Sequence, residues 1–472
     1  MRLLMNVPSL RCLPLFALGV LQLSAATTAG EFLPGRAPHT TNPILPGYFA
    51  DPSVVQEDGK TYIYATLDPW GDQTLGCWES PDFKNWTYRV LNWPTKQDCT
   101  SPTSKAAGVW APSVIKGKDG KFHMAVSVGS EVWAGVADHP LGPWHNALGA
   151  KKPLIPFDYK PGFHMIDAEY FLDDDGQTYL YWGSGHGWKN GRCWMVKLKP
   201  DMTTFDGEVT DVTPANYFEG PIVVKRRGLY FLMYSAGKTI EEDYRVHYAV
   251  SKSPTGPFNE GPGSPVLVTD MSANVISPGH HTIMRRDGQD YILYHRHSVP
   301  FDRKFIGRQV CADPITFTAD GRIEKISPTH HGPPLAQGRA ESIAKLIANA
   351  KPTASSESNE FTRATYAFDD NYATRWAPAG DANGAWLQLD FGSVQKFERQ
   401  IIRAEYAWKP YRFAIESSND GESWIRIEDH TQDAITGSPI VSNKPVVARY
   451  LRLVFPEDVR GADIGIFEWA VF

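Results

Sequence analysis

The chain has 472 residues and a formal net charge of −6, with 12% aromatic and 21% charged residues. This length allows two or three domains with a substantial core. The composition is typical of a folded, β-rich protein rather than a disordered one. The sequence contains no basic run, which argues against nucleic acid as a partner.

The N-terminus has the pattern of a secretory signal. Arg2 and Arg11 flank an apolar stretch of about a dozen residues, and small residues follow near Ala26 and Ala29. The stretch is too short for a membrane-spanning helix. We therefore expect residues 1–29 to be a signal peptide. The mature protein is expected to be a monomer, secreted or periplasmic, that does not associate with a membrane.

Four cysteines follow this segment: Cys77, Cys99, Cys193 and Cys311. None lies in a C-x-x-C motif, which argues against a zinc site. Cys77 and Cys99 are near in sequence and could form a disulfide in an oxidising compartment. Buried free thiols are the alternative.

Between residues 40 and 330, one phrase recurs five times. An apolar strand, a glycine turn and an aromatic-rich strand follow one another around "EDGKTYIYAT", "KDGKFHMAVS", "DDGQTYLYWG", "RRGLYFLMYS" and "RDGQDYILYH". Each unit spans about 50–60 residues, and long helix patterns are absent. The repeat predicts an all-β fold with a five-bladed β-propeller over residues 30–340.

Acidic residues recur at one place in this repeat. The positions eight or nine residues before the turn glycines are Asp51, Ala111, Asp167, Glu219 and His280. The inner strands of a propeller line one channel, so these residues should converge. A single Asp before Pro is an ordinary turn residue, but three gathered carboxylates repel one another and indicate a working site. Glycoside hydrolysis needs a base, a protonated acid and a group that tunes the acid.

The phrases "FADPSVV", "VWAPSV", "MIDAEYFLDDDGQTYLYWG", "YFEGPIVV" and "SPGHHTI" resemble glycoside hydrolase family 43. The resemblance implies a five-bladed propeller and inversion of configuration. It implies that Asp51 is the general base, Glu219 the general acid, and Asp167 the residue that orients Glu219 and tunes its pKa. It places His280 near a central metal ion, usually calcium, with a hydrogen-bonded channel histidine as the alternative. Arg296 would help to hold the acids, unless it forms a surface ion pair.

Aromatic side chains at the channel mouth are expected to stack on the sugar ring. Besides Arg296, the candidate substrate-binding residues are Phe49, Trp110, Trp182 and His186. Packing in the propeller core is the alternative for each. Trp110 is the preferred candidate because it occupies a strand entrance.

The repeat stops before residue 341, and short alternating strands with polar turns predict a β-sandwich over residues 341–472. The phrases "AFDDNYATRWAP", "AWLQLDFG" and "ARYLRLVF" resemble the discoidin-like jelly roll of carbohydrate-binding module family 32. The resemblance implies a structural calcium site at Asp369, Thr374 and Glu468, with turn capping as the alternative. The aromatics of "EYAWKPYR" could stack on a sugar or pack against the propeller.

The resemblance thus predicts an exo-acting glycosidase that releases terminal L-arabinofuranose from plant cell-wall polysaccharide side chains. The alternatives within the family are β-D-xylosidase, β-D-galactofuranosidase and exo-β-galactanase activities. A non-catalytic carbohydrate-binding protein and a glycoside phosphorylase are alternatives of other classes. The three acids favour the hydrolase over the pure binder, and the chemistry itself needs no cofactor.

Overall fold

The computed structural model describes residues 33–149, 151–338 and 349–472. The predicted signal peptide lies outside these residues. The described chain is almost entirely β-structure, which confirms the predicted fold class. Its helices are short 3-10 turns, at His186–Trp188, Pro334–Ala336, Ala364–Ala367 and Gly461–Asp463. In these ranges no helix has the length and apolar character needed to span a membrane.

Five antiparallel sheets follow one another along the first part of the described chain. The first sheet contains β1 (Phe49–Glu57), β2 (Lys60–Leu67), β3 (Thr74–Ser80) and β4 (Thr87–Thr95). The second contains β5 (Val109–Lys116), β6 (Phe122–Val128), β7 (Glu131–Ala137) and β8 (His145–Asn146). The region of the third contains β9 (Phe163–His164), β10 (Glu169–Leu172), β11 (Thr178–Trp182), β12 (Ser184–Gly185), β13 (Trp194–Leu198) and β14 (Thr210–Asp211).

In this third region β10, β11, β13 and β14 form the sheet, while β9 and β12 pair with each other. The fourth sheet contains β15 (Glu219–Arg226), β16 (Leu229–Ala236), β17 (Arg245–Ser251) and β18 (Asn259–Glu260). The fifth contains β19 (Gly279–Arg286), β20 (Gln289–His297) and β21 (Arg308–Ile315).

The first strands of the five sheets form a ring. Strand β1 contacts β5, β5 contacts β10, β10 contacts β15, β15 contacts β19, and β19 contacts β1. This is the arrangement of a five-bladed propeller with its inner strands at the centre. The repeated phrase therefore encodes, in each blade, the hairpin that begins at the central channel.

The chain before β1 closes the ring. The Ile44 amide donates to the Val310 carbonyl at 2.9 Å. The Asn42 side chain donates to the Ala312 carbonyl at 3.0 Å and accepts from the Ala312 amide at 2.9 Å. Because β21 is the outer strand of the fifth sheet, these bonds cover its edge with the start of the described chain.

Aromatic side chains fill the space between the sheets, and several indoles, such as Trp78 and Trp133, are fully buried. The four cysteines of the described chain are free and buried. The structure thus favours buried thiols over a Cys77–Cys99 disulfide. Burial raises the pKa of Cys77 and of Cys99, so both sulfurs stay protonated.

The C-terminal part is a β-sandwich of two sheets. Its strands are β22 (Lys351–Ala354), β23 (Trp386–Phe397), β24 (Gln400–Ala404), β25 (Ala414–Ser418), β26 (Ile425–Asp429), β27 (Ile440–Ser442), β28 (Val446–Val454) and β29 (Ile466–Val471). One sheet has the order β22-β23-β28-β25-β26 and the other β27-β24-β29. Trp376, Leu389 and Trp469 are buried between them. The predicted domain limits stay predictions.

Candidate active site

Near the start of each inner strand, one residue lies in the left-handed backbone region. These residues are Asp51 (φ 52°), Ala111 (45°), Asp167 (59°), Gly220 (61°) and His280 (36°). In four blades the strand register shifts at this point, as it does between Ala50 and Ser53. A bulge of this kind re-aims side chains at a strand end. These left-handed positions direct the chain toward the centre of the ring in all five blades.

Asp51, Asp167, Glu219 and His280 line one cavity of about 370 Å³. The repeat in the sequence predicts that Glu219 occupies the same position of its blade as Asp51, Asp167 and His280 do in theirs. That prediction is wrong by one residue. Gly220 holds the left-handed position in the fourth blade, and Glu219 precedes it. The carboxyl of Glu219 therefore enters the cavity from the flank of the bulge.

Asp51 is an ionised carboxylate held by a guanidinium and by neutral donors. The residue is 5% exposed. Thr66 donates to Oδ2 at 2.7 Å, Arg308 Nη1 donates to Oδ1 at 3.1 Å, and His295 Nδ1 lies 3.1 Å from Oδ1. Burial alone would raise the pKa of Asp51, but Arg308, His280 and His295 outweigh it and hold that pKa far below its ordinary value.

Arg308 is fixed by a second carboxylate. Its Nε and Nη2 donate to Asp68 at 2.8 and 2.7 Å, a two-pronged geometry that fixes the guanidinium plane. Burial alone would lower the pKa of Arg308, but Asp51 and Asp68 raise it. A permanent positive charge thus faces Asp51.

Glu219 has neutral partners instead. Tyr244 donates to Oε1 at 2.7 Å and Ser184 donates to Oε2 at 3.0 Å. Burial raises the pKa of Glu219 to about 7, against these two hydrogen bonds and with the charge of Asp51 adding to the rise. Burial, then Glu219 and Asp51, raise the pKa of Asp167 well above its ordinary value. The Asp167–Glu219 pair therefore holds a proton near neutral pH.

Aromatic rings form the walls of the cavity. Trp110 packs edge-on to His164 with ring centroids 6.1 Å apart, and His164 stacks on His186 at 5.0 Å. Trp70 and Trp188, with centroids 6.3 Å apart, line the cavity as well. Such rings present flat apolar faces of the kind that pack on sugars.

Two family models match the chain. The model of glycosyl hydrolases family 43 matches residues 40–323, and that of the F5/8 type C domain matches residues 351–468. The chain belongs to glycoside hydrolase family 43. The resemblance noted for each domain is thereby confirmed, the F5/8 type C domain being the discoidin-like one.

Relatives of this glycoside hydrolase differ in their named activities. It is 34% identical over 307 residues to "Beta-D-galactofuranosidase xynD" of Aspergillus niger, covering 62% of this chain and 86% of that protein. It is 26% identical over 420 residues to "Arabinoxylan arabinofuranohydrolase" of Bacillus subtilis, covering 75% and 76%. A solved structure named "Glycoside hydrolase" matches with a TM-score of 0.78 and 27% identity, covering 93% of this chain and all of that one.

In the family 43 domain, His280 sits between acids. Its Nδ1 lies 3.3 Å from Asp51 Oδ1 and 3.8 Å from Asp167 Oδ2, and burial lowers its pKa. Calcium prefers six to eight oxygen ligands, whereas imidazoles and the Arg308 guanidinium crowd this centre. Within the described ranges, no group of three His, Cys, Asp or Glu side chains could hold a metal. The channel-histidine alternative fits His280 better than the central metal.

Phe49 and Trp182 do not line the cavity, contrary to the prediction. Phe49 is fully buried and packs on Trp78 and Trp408, with centroids 5.3 and 5.5 Å away. Trp182 is fully buried in the core of the third blade. Both lie in regular strand outside a bulge, so their side chains pack between sheets. Trp110 and His186 line the cavity as predicted.

Arg296 is also turned away from the acids. It is fully buried, and its Nε donates to Cys311 Sγ at 3.2 Å. Neighbouring residues of a strand face opposite sides, so His295 rather than Arg296 faces Asp51. Sequence reasoning missed Arg308, which supplies the cation. A charged residue at the start of the buried strand β21 was its only signal.

The three predicted calcium ligands of the C-terminal domain meet around one loop. The Asp370 amide donates to Glu468 Oε2 at 3.0 Å, and the Thr374 hydroxyl donates to Asp369 Oδ2 at 2.8 Å. Asp369 and Glu468 are buried, and burial raises the pKa of Asp369 well above its ordinary value. Two buried carboxylates and a hydroxyl are the oxygen donors that calcium prefers. The site stays a prediction.

Proposed function

We propose that the protein is an inverting, exo-acting glycosidase that releases terminal furanose residues. L-arabinofuranose is the sugar predicted from the sequence, and D-galactofuranose is the second candidate. The observation that carries the proposal is that two carboxyls of one cavity have opposite surroundings, a guanidinium beside Asp51 and neutral hydroxyl donors on Glu219. Asp51 is held ionised, while burial raises the pKa of Glu219 to about 7. Carboxyls whose environments push their pKa values apart are suited to act as base and acid.

The proposed reaction is a single displacement. The Asp51 carboxylate takes a proton from a water molecule as that water attacks the anomeric carbon. Glu219 gives its proton to the leaving oxygen on the other side of the ring, so the configuration inverts. In inverting enzymes the two carboxyls stand roughly 6.5–9.5 Å apart, which leaves room for the water. Arg308 and Thr66 hold the base, and Tyr244 and Ser184 hold the acid.

Asp167 supports the acid in this proposal. Its carboxylate accepts a hydrogen bond from the Gly220 amide, directly after Glu219 in the chain. This bond fixes the backbone from which Glu219 projects. The negative charge of Asp167, when ionised, would also favour the protonated form of Glu219.

The size of the cavity supports action on a terminal sugar. Its volume of about 370 Å³ lies near the lower end of ligand pockets, which span roughly 300–1,000 Å³. One or two sugar rings fit such a space. An α-L-arabinofuranosyl and a β-D-galactofuranosyl group share the configuration of the ring and differ in the exocyclic group. The relative of 34% identity favours galactofuranose, and the arabinofuranohydrolase relative favours arabinofuranose.

The proposed natural substrate is a plant cell-wall oligo- or polysaccharide. The predicted signal peptide would bring the enzyme to that substrate outside the cell.

A panel of aryl glycosides tests the proposal. The panel contains the α-L-arabinofuranoside, β-D-galactofuranoside, β-D-xyloside and β-D-galactoside. We expect kcat/KM for one furanoside to exceed that for both pyranosides by at least about tenfold. NMR of the first product should show the inverted anomer. A xyloside or galactoside as the best substrate would refute the furanosidase, and a retained anomer would refute the displacement by water.

A further inference from the structure

One segment of the sandwich is inserted against the propeller. It follows β24 and spans residues 405–411. Tyr411 at its end is buried in the sandwich core, whereas Ala407 is buried in the cluster beside the first propeller sheet. Trp408 follows, with its ring 5.5 Å from that of Phe49. The segment is anchored in both cores, so the position of Trp408 is fixed.

Trp408 holds the loop that carries one cavity wall. Its Nε1 donates to Asp72 Oδ2 at 3.1 Å. Two residues earlier, Trp70 lines the cavity, 38% exposed, in the left-handed conformation with φ 58°. The Asp72 carbonyl accepts from the Val109 amide at 2.9 Å, next to the wall residue Trp110. The hydrogen bond from Trp408 therefore holds Asp72, which lies between the backbone of Trp70 and that of Trp110.

The same loop also fixes the cation that faces the base. Asp68 lies two residues before Trp70 and binds Arg308 through two side-chain bonds. The Arg308 guanidinium lies 5.4 Å from the centre of the Trp70 ring, within cation–π range. Loop residues 68–73 therefore join Trp408 to the cavity wall and to Arg308, which binds Asp51.

We propose that Trp408 of the sandwich is a positioning residue of the active site, so that the C-terminal domain is part of the catalytic unit. A module that only tethered the enzyme to polysaccharide would need no hydrogen bond to the loop that carries a cavity wall. The Trp408 ring packs at a steep angle on Phe49 and its N–H binds Asp72, which favours packing over sugar stacking for this residue. The kinetic tests of this inference rest on the proposed function, because they require the enzyme to cleave a furanoside.

The first test is kinetic. Trp408→Phe keeps a ring against Phe49 and removes the N–H that binds Asp72. With a small soluble aryl furanoside, we expect KM to rise and kcat/KM to fall about tenfold. The pH at which activity declines should not change, because the acid is untouched. Trp424→Phe is the matched control, since Trp424 packs on Arg452 within the sandwich at 3.9 Å; its kinetics should equal those of the parent.

A double-mutant cycle tests the contact itself. Asp72→Ala should raise KM as Trp408→Phe does, and the combined variant should add nothing further. If Trp408→Phe does not fold, Asp72→Ala carries the same test. Full additivity of the two changes would overturn the proposal, as would an equal loss in Trp424→Phe.

Amide hydrogen exchange supplies a readout without turnover. In Trp408→Phe, peptides covering residues 68–73 and 109–111 should exchange faster than in the parent, and in Trp424→Phe they should not. If the parent cleaves no furanoside, the proposed function fails, while the exchange result still decides the positioning role. Parental exchange and parental kinetics in Trp408→Phe would overturn that role.

Discussion

Asp51 and Glu219 occur in nearly identical phrases, "FADP" and "FEGP", yet their surroundings give them opposite tasks. Asp51 faces the Arg308 guanidinium and two imidazoles. The Glu219 carboxyl accepts its hydrogen bonds from two hydroxyl groups, those of Tyr244 and Ser184. A cation stabilises the ionised form, whereas burial among neutral donors leaves the protonated form accessible near neutral pH. The partners of each acid, and not the phrases themselves, thus favour base and acid.

Substitution of the two carboxyls separates these roles. Asp51→Asn should lower kcat by up to about 10⁴ on every substrate, because an amide cannot accept the proton of the attacking water. Glu219→Gln should lose most activity on natural linkages and retain more on aryl glycosides whose leaving groups need no proton. Initial rates on both substrate types provide the measurement. Sugar release that survives in Asp51→Asn, or equal losses for Glu219→Gln on both types, would contradict the assignment.

The pKa shifts predict the pH dependence. In the proposed mechanism Glu219 acts in its protonated form, so kcat/KM should fall as pH rises through about 7. As the proposed base, Asp51 would act in its ionised form. Its lowered pKa keeps it ionised far into acid, so no decline is expected near the ordinary aspartate value of about 4. Rate profiles with a poor leaving group provide the measurement. An activated aryl substrate is the control, and its alkaline decline should be weaker. An alkaline decline centred near pH 5 would contradict the prediction for Glu219.

At the scale of elements, the second strand of one blade accepts a hydrogen bond from the left-handed residue of the next blade. This occurs in three places. Thr66 accepts from the Ala111 amide at 2.8 Å, Ser127 from the Asp167 amide at 3.0 Å, and Ser235 from the His280 amide at 2.9 Å. Left-handed backbone is unfavourable for these non-glycine residues. The hydrogen bonds help to keep the strained positions directed into the cavity.

Ser127→Ala tests this bracing. It leaves the buried Asp167 amide without its acceptor, at a cost of about 1–3 kcal/mol in the free energy of unfolding. Because Asp167 then loses its fixed position beside the Glu219 backbone, the alkaline limb of the rate profile should also shift. Denaturant unfolding and rate profiles provide the measurements. Ser80→Ala is the control. Ser80 is also a fully buried serine, but it is the last residue of β3 and its hydroxyl donates to Asp82 rather than to an active-site residue. A parental rate profile in Ser127→Ala would argue against the bracing role.

The sequence predicts the hairpins because turn glycines and alternating apolar residues are local signals. It also brings Asp51, Asp167 and His280 to the right place in their blades. It cannot show on which residue a bulge falls, which is why Glu219 was aligned with positions that Gly220 fills. The family resemblance implies that Arg296 helps to hold the acids, whereas in the structure its strand neighbour His295 faces Asp51. Trp70 and Arg308 lie outside the repeated phrase. Their place in the cavity therefore becomes visible only in the folded structure.

On the scale of the whole molecule, the sandwich is bonded to the propeller at several places. The Tyr88 amide donates to the Ser438 carbonyl at 2.6 Å, and Arg403 donates to the Trp86 carbonyl at 3.0 Å. Gln309, next to Arg308, donates to the Tyr372 carbonyl at 2.8 Å. These bonds connect the sandwich to both the first and the fifth blades.

The loop that holds the predicted calcium ligands is part of this interface. The His39 amide donates to the Asp369 carbonyl at 2.8 Å, and Asn371 donates to the Gly35 and Ala37 carbonyls at 2.9 and 3.1 Å. The loop therefore touches the segment that leads into the propeller. If calcium binds there, it should stabilise this contact together with the sandwich.

Calcium removal is therefore expected to destabilise the whole chain in one transition. Without calcium, the buried carboxyls of Asp369 and Glu468 would lack a cation to stabilise their ionised forms, which disfavours the folded loop. Thermal unfolding in chelator should show a midpoint several degrees lower, restored by Ca²⁺ and not by Mg²⁺, because Mg²⁺ demands a tighter octahedral shell. Asp369→Asn should show little response to either treatment. Equal midpoints with and without chelator would show that the loop is held by its hydrogen bonds alone, and a separate early transition would show that the sandwich unfolds independently of the propeller.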